Sequence, residues 1–142
     1  MNTPITVQYR INAPVNKVWK ALTDQNEMKS WYFDIQDFEL ETGKEFNFFE
    51  PGEEKKYHHQ GRILEVIPEQ WLKHTWSYPD FSNAETTVIW ELQSENEGTV
   101  VTLTHEGIEN FKDLGDGFSR ENFTQGWNTI IGQSLKSYLE NN

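Results

Sequence analysis

Ser119–Glu140 reads SRENFTQGWNTIIGQSLKSYLE, and this stretch decides the fold. At about 100° per residue, Phe123, Trp127, Ile130, Ile131, Leu135, Tyr138 and Leu139 fall on one half of a helix. Gln125, Thr129, Gln133, Lys136, Ser137 and Glu140 fall on the other half. At about 1.5 Å per residue such a helix spans about 30 Å, comparable to the longest strands in the chain. Its apolar half needs a partner surface of similar length. The residues upstream supply one. Thr99–Glu106 alternates Val101, Leu103 and His105 against Val100, Thr102 and Thr104. Glu85–Gln93 alternates Val88, Trp90 and Leu92 against Thr87, Ile89 and Glu91, and the polar turn Ser94–Gly98 joins the two.

Further upstream, Trp71–Ser77 and Tyr57–Ile67 read as strands, the second stopped by Pro68. In the latter, Ile63-Leu64 and Val66-Ile67 break the alternation. That predicts a bulge and leaves the strand's inward set open. Gln36–Glu41 and Lys44–Glu50 flank the turn Thr42-Gly43 and are expected to pair as a hairpin, with Pro51-Gly52 as the next turn. At the start, Ile5, Val7, Tyr9 and Ile11 form one face of a strand. Pro14 then opens a helix carrying Val15, Val18, Trp19 and Leu22, and Asp24 with Glu27 has capping-box spacing for a second short helix. The fold class is therefore α+β: a curved seven-stranded antiparallel sheet around a long C-terminal helix, with two short helices after strand 1. Residues 1–142 are read as one domain.

Composition narrows the function classes. The 142 residues carry a net charge of −11 and no cysteine. A surface that negative repels phosphate backbones and anionic lipid heads, so no nucleic-acid partner and no membrane insertion are expected. Without cysteine there is no disulfide, no thiolate nucleophile and no sulfur-ligated zinc. No apolar run approaches the ~18 residues of a membrane span, and MNTPITVQYR has no signal-peptide core, so a cytoplasmic location is expected. Six Trp and nine Phe in a chain with only 35% hydrophobic residues mean a core built from large rings.

The motifs together resemble the helix-grip fold of the START-like (SRPBCC) superfamily. The branch is the one related to the C-terminal domain of the activator of heat-shock protein 90 ATPase. The resemblance is carried by Ala13-Pro14, Val18-Trp19, Leu22-Thr23-Asp24, Trp31, Gly61, Leu64-Glu65-Val66, Pro68, Leu72 and Thr75-Trp76. It continues through Thr99, Leu103-Thr104-His105, Gly107, Gly126-Trp127, Leu135 and Tyr138-Leu139, so that it runs from about residue 5 to 140. It implies a hydrophobic cavity between sheet and helix. In such families some members bind lipids or other apolar ligands, some cyclise polyketides, and some stimulate the chaperone.

The expected function is non-catalytic binding of a hydrophobic small molecule, lipid-like or aromatic. Regulation of a heat-shock protein 90 chaperone is the alternative, and a cyclase-like enzyme a further one. The expected walls are Trp31, Trp76, Trp90, Leu103, Trp127, Ile131 and Tyr138, with His74, His105 and Ser134 orienting the ligand. Each polar member also has a purely structural reading. The two histidines can be satisfied by core neighbours, Ser134 can bond back to the carbonyl four residues earlier, and Trp31 can be a plug. His58 and His59 are adjacent on a strand and point to opposite faces, so they do not chelate one metal. Arg62, Glu65 and His74 would form an acid–base set only if all three faced inward. There is no phosphate loop, nucleophile elbow or metal-binding helix pair, so no catalytic residue, cofactor or metal is expected. Asp34–Glu54 holds eight acids and one base, a solvated face or a dock for a basic partner.

Overall fold

The computed structural model describes residues 3–35, 37–49, 57–115 and 118–141. The chain order is β1 (Ile5–Ile11), α1 (Val15–Thr23), α2 (Gln25–Trp31), β2 (Glu45–Phe49), β3 (His58–Ile67), β4 (Trp71–Ser77), β5 (Glu85–Glu95) and β6 (Gly98–Glu106). A 3-10 segment, Ile108–Leu114, leads to the terminal helix. That helix is α-helical over Arg120–Thr129, π-helical over Ile130–Leu135 and α-helical again over Lys136–Glu140. The strands form one open antiparallel sheet in the order β1-β6-β5-β4-β3-β2. β1 and β2 are its two edges, so α1 and α2 carry the chain from one edge to the other. Asp24 caps α2, its carboxylate accepting from the N–H groups of Asn26 and Glu27 at 2.8 and 3.2 Å.

The sheet has six strands, not seven. The expected strand at 36–41 does not form over its described part, and Gln36 itself lies outside the described residues, as does the expected turn Pro51-Gly52. The reason is visible at the β2 edge. The Asp37 carboxylate accepts from the Asn47 backbone N–H at 2.9 Å and from the Asn47 side-chain amide at 3.0 Å. One side chain thus takes a hydrogen bond that a further strand's carbonyl would have needed, and a blocked edge resists pairing. The turn at Thr42-Gly43 is still made, with Gly43 at φ 92° and its N–H on the Ile63 carbonyl at 2.8 Å. The opposite edge is covered by the terminal helix. Lys136 Nζ donates to the Arg10 carbonyl at 3.1 Å, Glu140 accepts from the Asn12 N–H at 2.9 Å, and Arg120 donates to the carbonyls of Thr3 and Pro4.

Strand faces follow the alternation. Val88, Trp90 and Leu92 on β5 and Val101, Leu103 and His105 on β6 are all buried. The bulge in β3 falls between Ile63 and Glu65. His59, Gly61 and Ile63 face in before it, whereas Arg62 and Glu65 are exposed. On the terminal helix the buried row is Trp127, Ile131, Leu135 and Leu139. A spacing of four outruns the 3.6-residue α turn, so a plain α-helix would rotate this row off the sheet. The π segment widens the turn, with the Lys136 N–H reaching the Ile131 carbonyl, and brings the row back into line.

Two glycines of this helix play different parts. A Cβ at Gly132 would lie 2.6 Å from Cζ of Tyr9, whose hydroxyl is anchored on Asn128 at 2.7 Å. Gly132 is therefore the close-approach point, where the β1 ring lies against the helix backbone. At Gly126 a Cβ meets nothing within 4 Å. Gly126→Ala is expected to stabilise the protein by about 1 kcal/mol through helix propensity alone, while Gly132→Ala destabilises it by about 1–3 kcal/mol through overpacking. Urea midpoints of the two variants should move in opposite directions; a shared direction would contradict the assignment.

Candidate functional site

The interior between sheet and terminal helix is built from rings, and its centre is a hydrogen-bonded Trp–His network. Trp127 Nε1–H donates to His105 Nδ1 at 3.0 Å. The other ring nitrogen of His105 lies 2.8 Å from Thr86 Oγ1, which itself donates to the Trp76 carbonyl at 2.9 Å. The tautomer follows from this chain: His105 carries its proton on Nε2 and gives it to Thr86. His74 is the mirror case. Its Nδ1–H donates to the Thr75 carbonyl at 2.8 Å, and its Nε2 accepts from Trp90 Nε1–H at 3.3 Å. Burial lowers His74 to about 4. It lowers His105 to about 3, with His74 adding to the effect. Both imidazoles are neutral at physiological pH, and every ring nitrogen is already engaged.

The rings themselves interlock. Trp127 meets Trp76 at 5.3 Å and Trp90 at 5.8 Å, both edge to face, and Trp76 meets His105 at 6.0 Å. Leu103 and Ile131 are fully buried in the same cluster. These expected wall residues do come together, as packed core. His74 and His105 are buried there with their ring nitrogens bonded to Thr75, Trp90, Thr86 and Trp127. Ser134 is half-buried, and the back-bond of its purely structural reading is not formed among the described residues. Tyr138 sits away from the Trp76–Trp127 cluster, donating to Glu27 Oε1 at 3.1 Å. There it borders a surface hollow of about 270 Å³ with Lys17, Lys20, Glu27 and Leu139.

Trp31 leads to the more informative region. Its Nε1–H donates to the Ala21 carbonyl at 2.9 Å, which fixes the end of α2 against α1. Tyr32 stacks on Trp31 at 4.8 Å, meets Trp90 edge to face at 6.2 Å, and touches Phe33 at 4.6 Å. Phe33 in turn packs on Phe48 of β2 at 4.5 Å and on His59 of β3 at 5.7 Å. His59 points inward, its Nδ1 on the Tyr57 carbonyl at 2.8 Å, while its neighbour His58 points outward to Asn47 Oδ1 at 2.7 Å. The Tyr32 hydroxyl is buried and has no hydrogen-bond partner among the described residues. Burial, with Tyr78 nearby, drives its ionisation far above the usual phenol range. By contrast, the Tyr78 hydroxyl accepts from Trp76 Nε1–H at 2.9 Å; burial pushes its pKa up to about 12, against the lowering effect of that bond.

Tyr32, Phe33, Phe48 and His59 are the residues that sequence reasoning did not place in the site. The available signal was three consecutive rings, Trp31-Tyr32-Phe33, at a helix end facing the Phe46/Phe48 face of a strand. Arg62 and Glu65 are exposed, so they form no interior acid–base set with His74. Among the described residues no three His, Asp or Glu side chains converge as metal ligands, and no helix is long and apolar enough to cross a membrane.

Comparison with known proteins agrees with the fold. The family model of Activator of Hsp90 ATPase homolog 1-like protein matches residues 12–140. DynU16, a protein of the dynemicin biosynthetic locus, is 23% identical with a TM-score of 0.80, covering 99% of this chain and 48% of its own. The present chain thus spans about half the length of that relative. MLL2253 from Mesorhizobium loti is 21% identical with a TM-score of 0.78 and 97% coverage of both chains. The Aha1 dimer from Colwellia psychrerythraea is 22% identical with a TM-score of 0.76, covering 97% of this chain and 96% of its own. No curated protein gives a significant match. With the strand order, the terminal helix and the span of the family match all in agreement, the chain belongs to the Activator of Hsp90 ATPase homolog 1-like protein family and has an SRPBCC-type fold.

Proposed function

We propose that the protein binds a hydrophobic small molecule without chemical turnover, at the end of the sheet–helix interior bounded by α2, β2 and β3. The observation that carries this reading is the Tyr32 hydroxyl. The Trp31, Trp76, Trp90 and Trp127 N–H groups and the His74 and His105 ring nitrogens all have partners, while this hydroxyl has none. An orphaned buried hydroxyl costs about 1–3 kcal/mol and is retained where something outside the fold completes it. Rings surround it, so the completing molecule is largely apolar. The segment that follows Tyr32, Phe33 to Lys44, contains no regular helix or strand in its described part, and such segments open more readily than paired ones. Phe33 occupies the space against Phe48 and His59 that a ligand ring would take.

The reading makes Phe33 a displaceable plug. In Phe33→Ala, the affinity for 2-acetylnaphthalene should rise about five- to tenfold, because the ligand no longer expels a half-buried ring. Native mass spectrometry of protein from its own host should show a co-purifying small molecule. If nothing co-purifies and neither protein binds the probe, the reading fails. The alternative, stimulation of an Hsp90-type chaperone, is supported by the family description and the acidic segment 34–54. Chaperone ATP turnover that rises on adding this protein would favour it; under small-molecule binding the turnover is unchanged.

A further inference from the structure

Resting on the binding reading above, we infer that the Tyr32 site selects uncharged ring compounds bearing one hydrogen-bond acceptor, such as a ketone, over both carboxylates and plain hydrocarbons. The argument begins with what the site offers. A phenol is a strong donor and a poor acceptor, because its oxygen lone pair is delocalised into the ring, so the group that completes Tyr32 best is a carbonyl oxygen. The hydroxyl stays protonated at any working pH, since burial opposes the phenolate. Among the described residues it is the one buried side-chain nitrogen or oxygen with no hydrogen-bond partner of either kind, so a single ligand acceptor is enough to complete it. Trp31 at 4.8 Å, Phe33 at 4.6 Å, Trp90 at 6.2 Å and Phe48 at 6.4 Å set rings around the phenol, and rings favour a flat aromatic guest.

What the site lacks excludes anions. The buried polar residues described are His59, His74, Thr75, Ser77, Thr86, Thr99 and His105, with no lysine or arginine among them. His74 and His105 are held neutral and have no free N–H. A carboxylate brought here would lose its hydration without meeting a counter-charge, which costs far more than one phenol hydrogen bond returns. The net charge of −11 adds long-range repulsion. Fatty-acid headgroups are therefore poor occupants of this position, and neutral aromatic carbonyl compounds are good ones.

The test uses three probes on one ring system: 2-acetylnaphthalene, 2-ethylnaphthalene and 2-naphthoate, each titrated calorimetrically into the wild-type protein and into Tyr32→Phe. In the wild type the ketone should bind about five- to tenfold more tightly than the ethyl compound, and the carboxylate at least about a hundredfold more weakly than the ketone. In Tyr32→Phe the ketone preference should vanish while the ethyl compound keeps its affinity within about twofold. Free of ligand, Tyr32→Phe should melt about 2–4 °C higher than the wild type, because an unsatisfied hydroxyl has been removed. Equal binding of ketone and hydrocarbon to the wild type, a ketone preference that survives in Tyr32→Phe, or naphthoate binding as tightly as the ketone would overturn the selectivity while leaving a binding protein. A lower melting temperature for Tyr32→Phe would show that the hydroxyl is partnered in solution and would overturn it too. If none of the three probes binds either protein, the binding reading fails and this inference goes with it.

Discussion

His105→Ala is expected to lower the unfolding free energy by about 3–5 kcal/mol, a large part of the ~5–15 kcal/mol available to a domain of this size. The substitution does two things at once. It strips the buried Trp127 N–H of its acceptor, at about 1–3 kcal/mol, leaves Thr86 with only its bond to the Trp76 carbonyl, and opens a void where the imidazole packed against Trp76, Phe123 and Trp127. His105→Phe separates the two effects: it fills the space but orphans the Trp127 N–H, while Thr86 keeps its bond to the Trp76 carbonyl, so a loss of about 1–3 kcal/mol is expected. A cycle completes the argument. Trp127→Phe combined with His105→Phe removes donor and acceptor together, and should cost less than the two single changes added. Urea denaturation reads all four proteins. If His105→Ala shifts stability by less than about 1 kcal/mol, the Trp–His network does not hold the helix to the sheet.

Acid should begin to destabilise this protein before its carboxylates titrate. His74 and His105 are held neutral in the folded state, at about 4 and about 3, whereas in the unfolded chain they protonate near 6.5. Below pH 6.5 the unfolded chain therefore takes up protons that the folded chain refuses, and stability falls as pH falls. The contribution is fully present above 6.5 and is lost progressively down to about 4 for His74 and about 3 for His105. By pH 4 each histidine has removed on the order of 3 kcal/mol. The rings that face these imidazoles are Phe46 and Trp76 for His74, and Trp76, Phe123 and Trp127 for His105; among the described residues no carboxylate offsets the effect. Urea titrations between pH 6.5 and 5 isolate the histidines, because ordinary carboxylates titrate lower. His105→Phe should reduce the slope in that window, and a wild-type stability that is flat there would contradict neutral burial of both rings.

The site residues divide by how far their neighbours lie along the chain. Val88, Trp90, Leu103 and His105 could be assigned to the inner face from alternation alone, because strand faces repeat every two residues whatever the partner is. The terminal helix and its apolar row were equally legible. What the two histidines do was not, since Trp127 and His105 are 22 residues apart and Trp90 and His74 are 16 apart. Only the register of β4, β5 and β6 under the helix brings donor and acceptor to hydrogen-bonding distance. Gly126 and Gly132 make the same point: equal in composition and propensity, they are told apart by the Tyr9 ring, 123 residues from Gly132 in sequence.

By itself the sequence determined an α+β domain with an antiparallel sheet and a covering helix, excluded thiol chemistry, and put aromatic rings in the core, since these depend on local periodicity and on which residue types are present. Tertiary structure alone decided that the Asp37 side chain replaces a seventh strand, that the tryptophans consume the histidines, and that the Tyr32 hydroxyl is left over. Those outcomes depend on which polar atoms meet once the chain has closed on itself, and hydrogen bonds saturate: a donor taken by one partner is lost to every other.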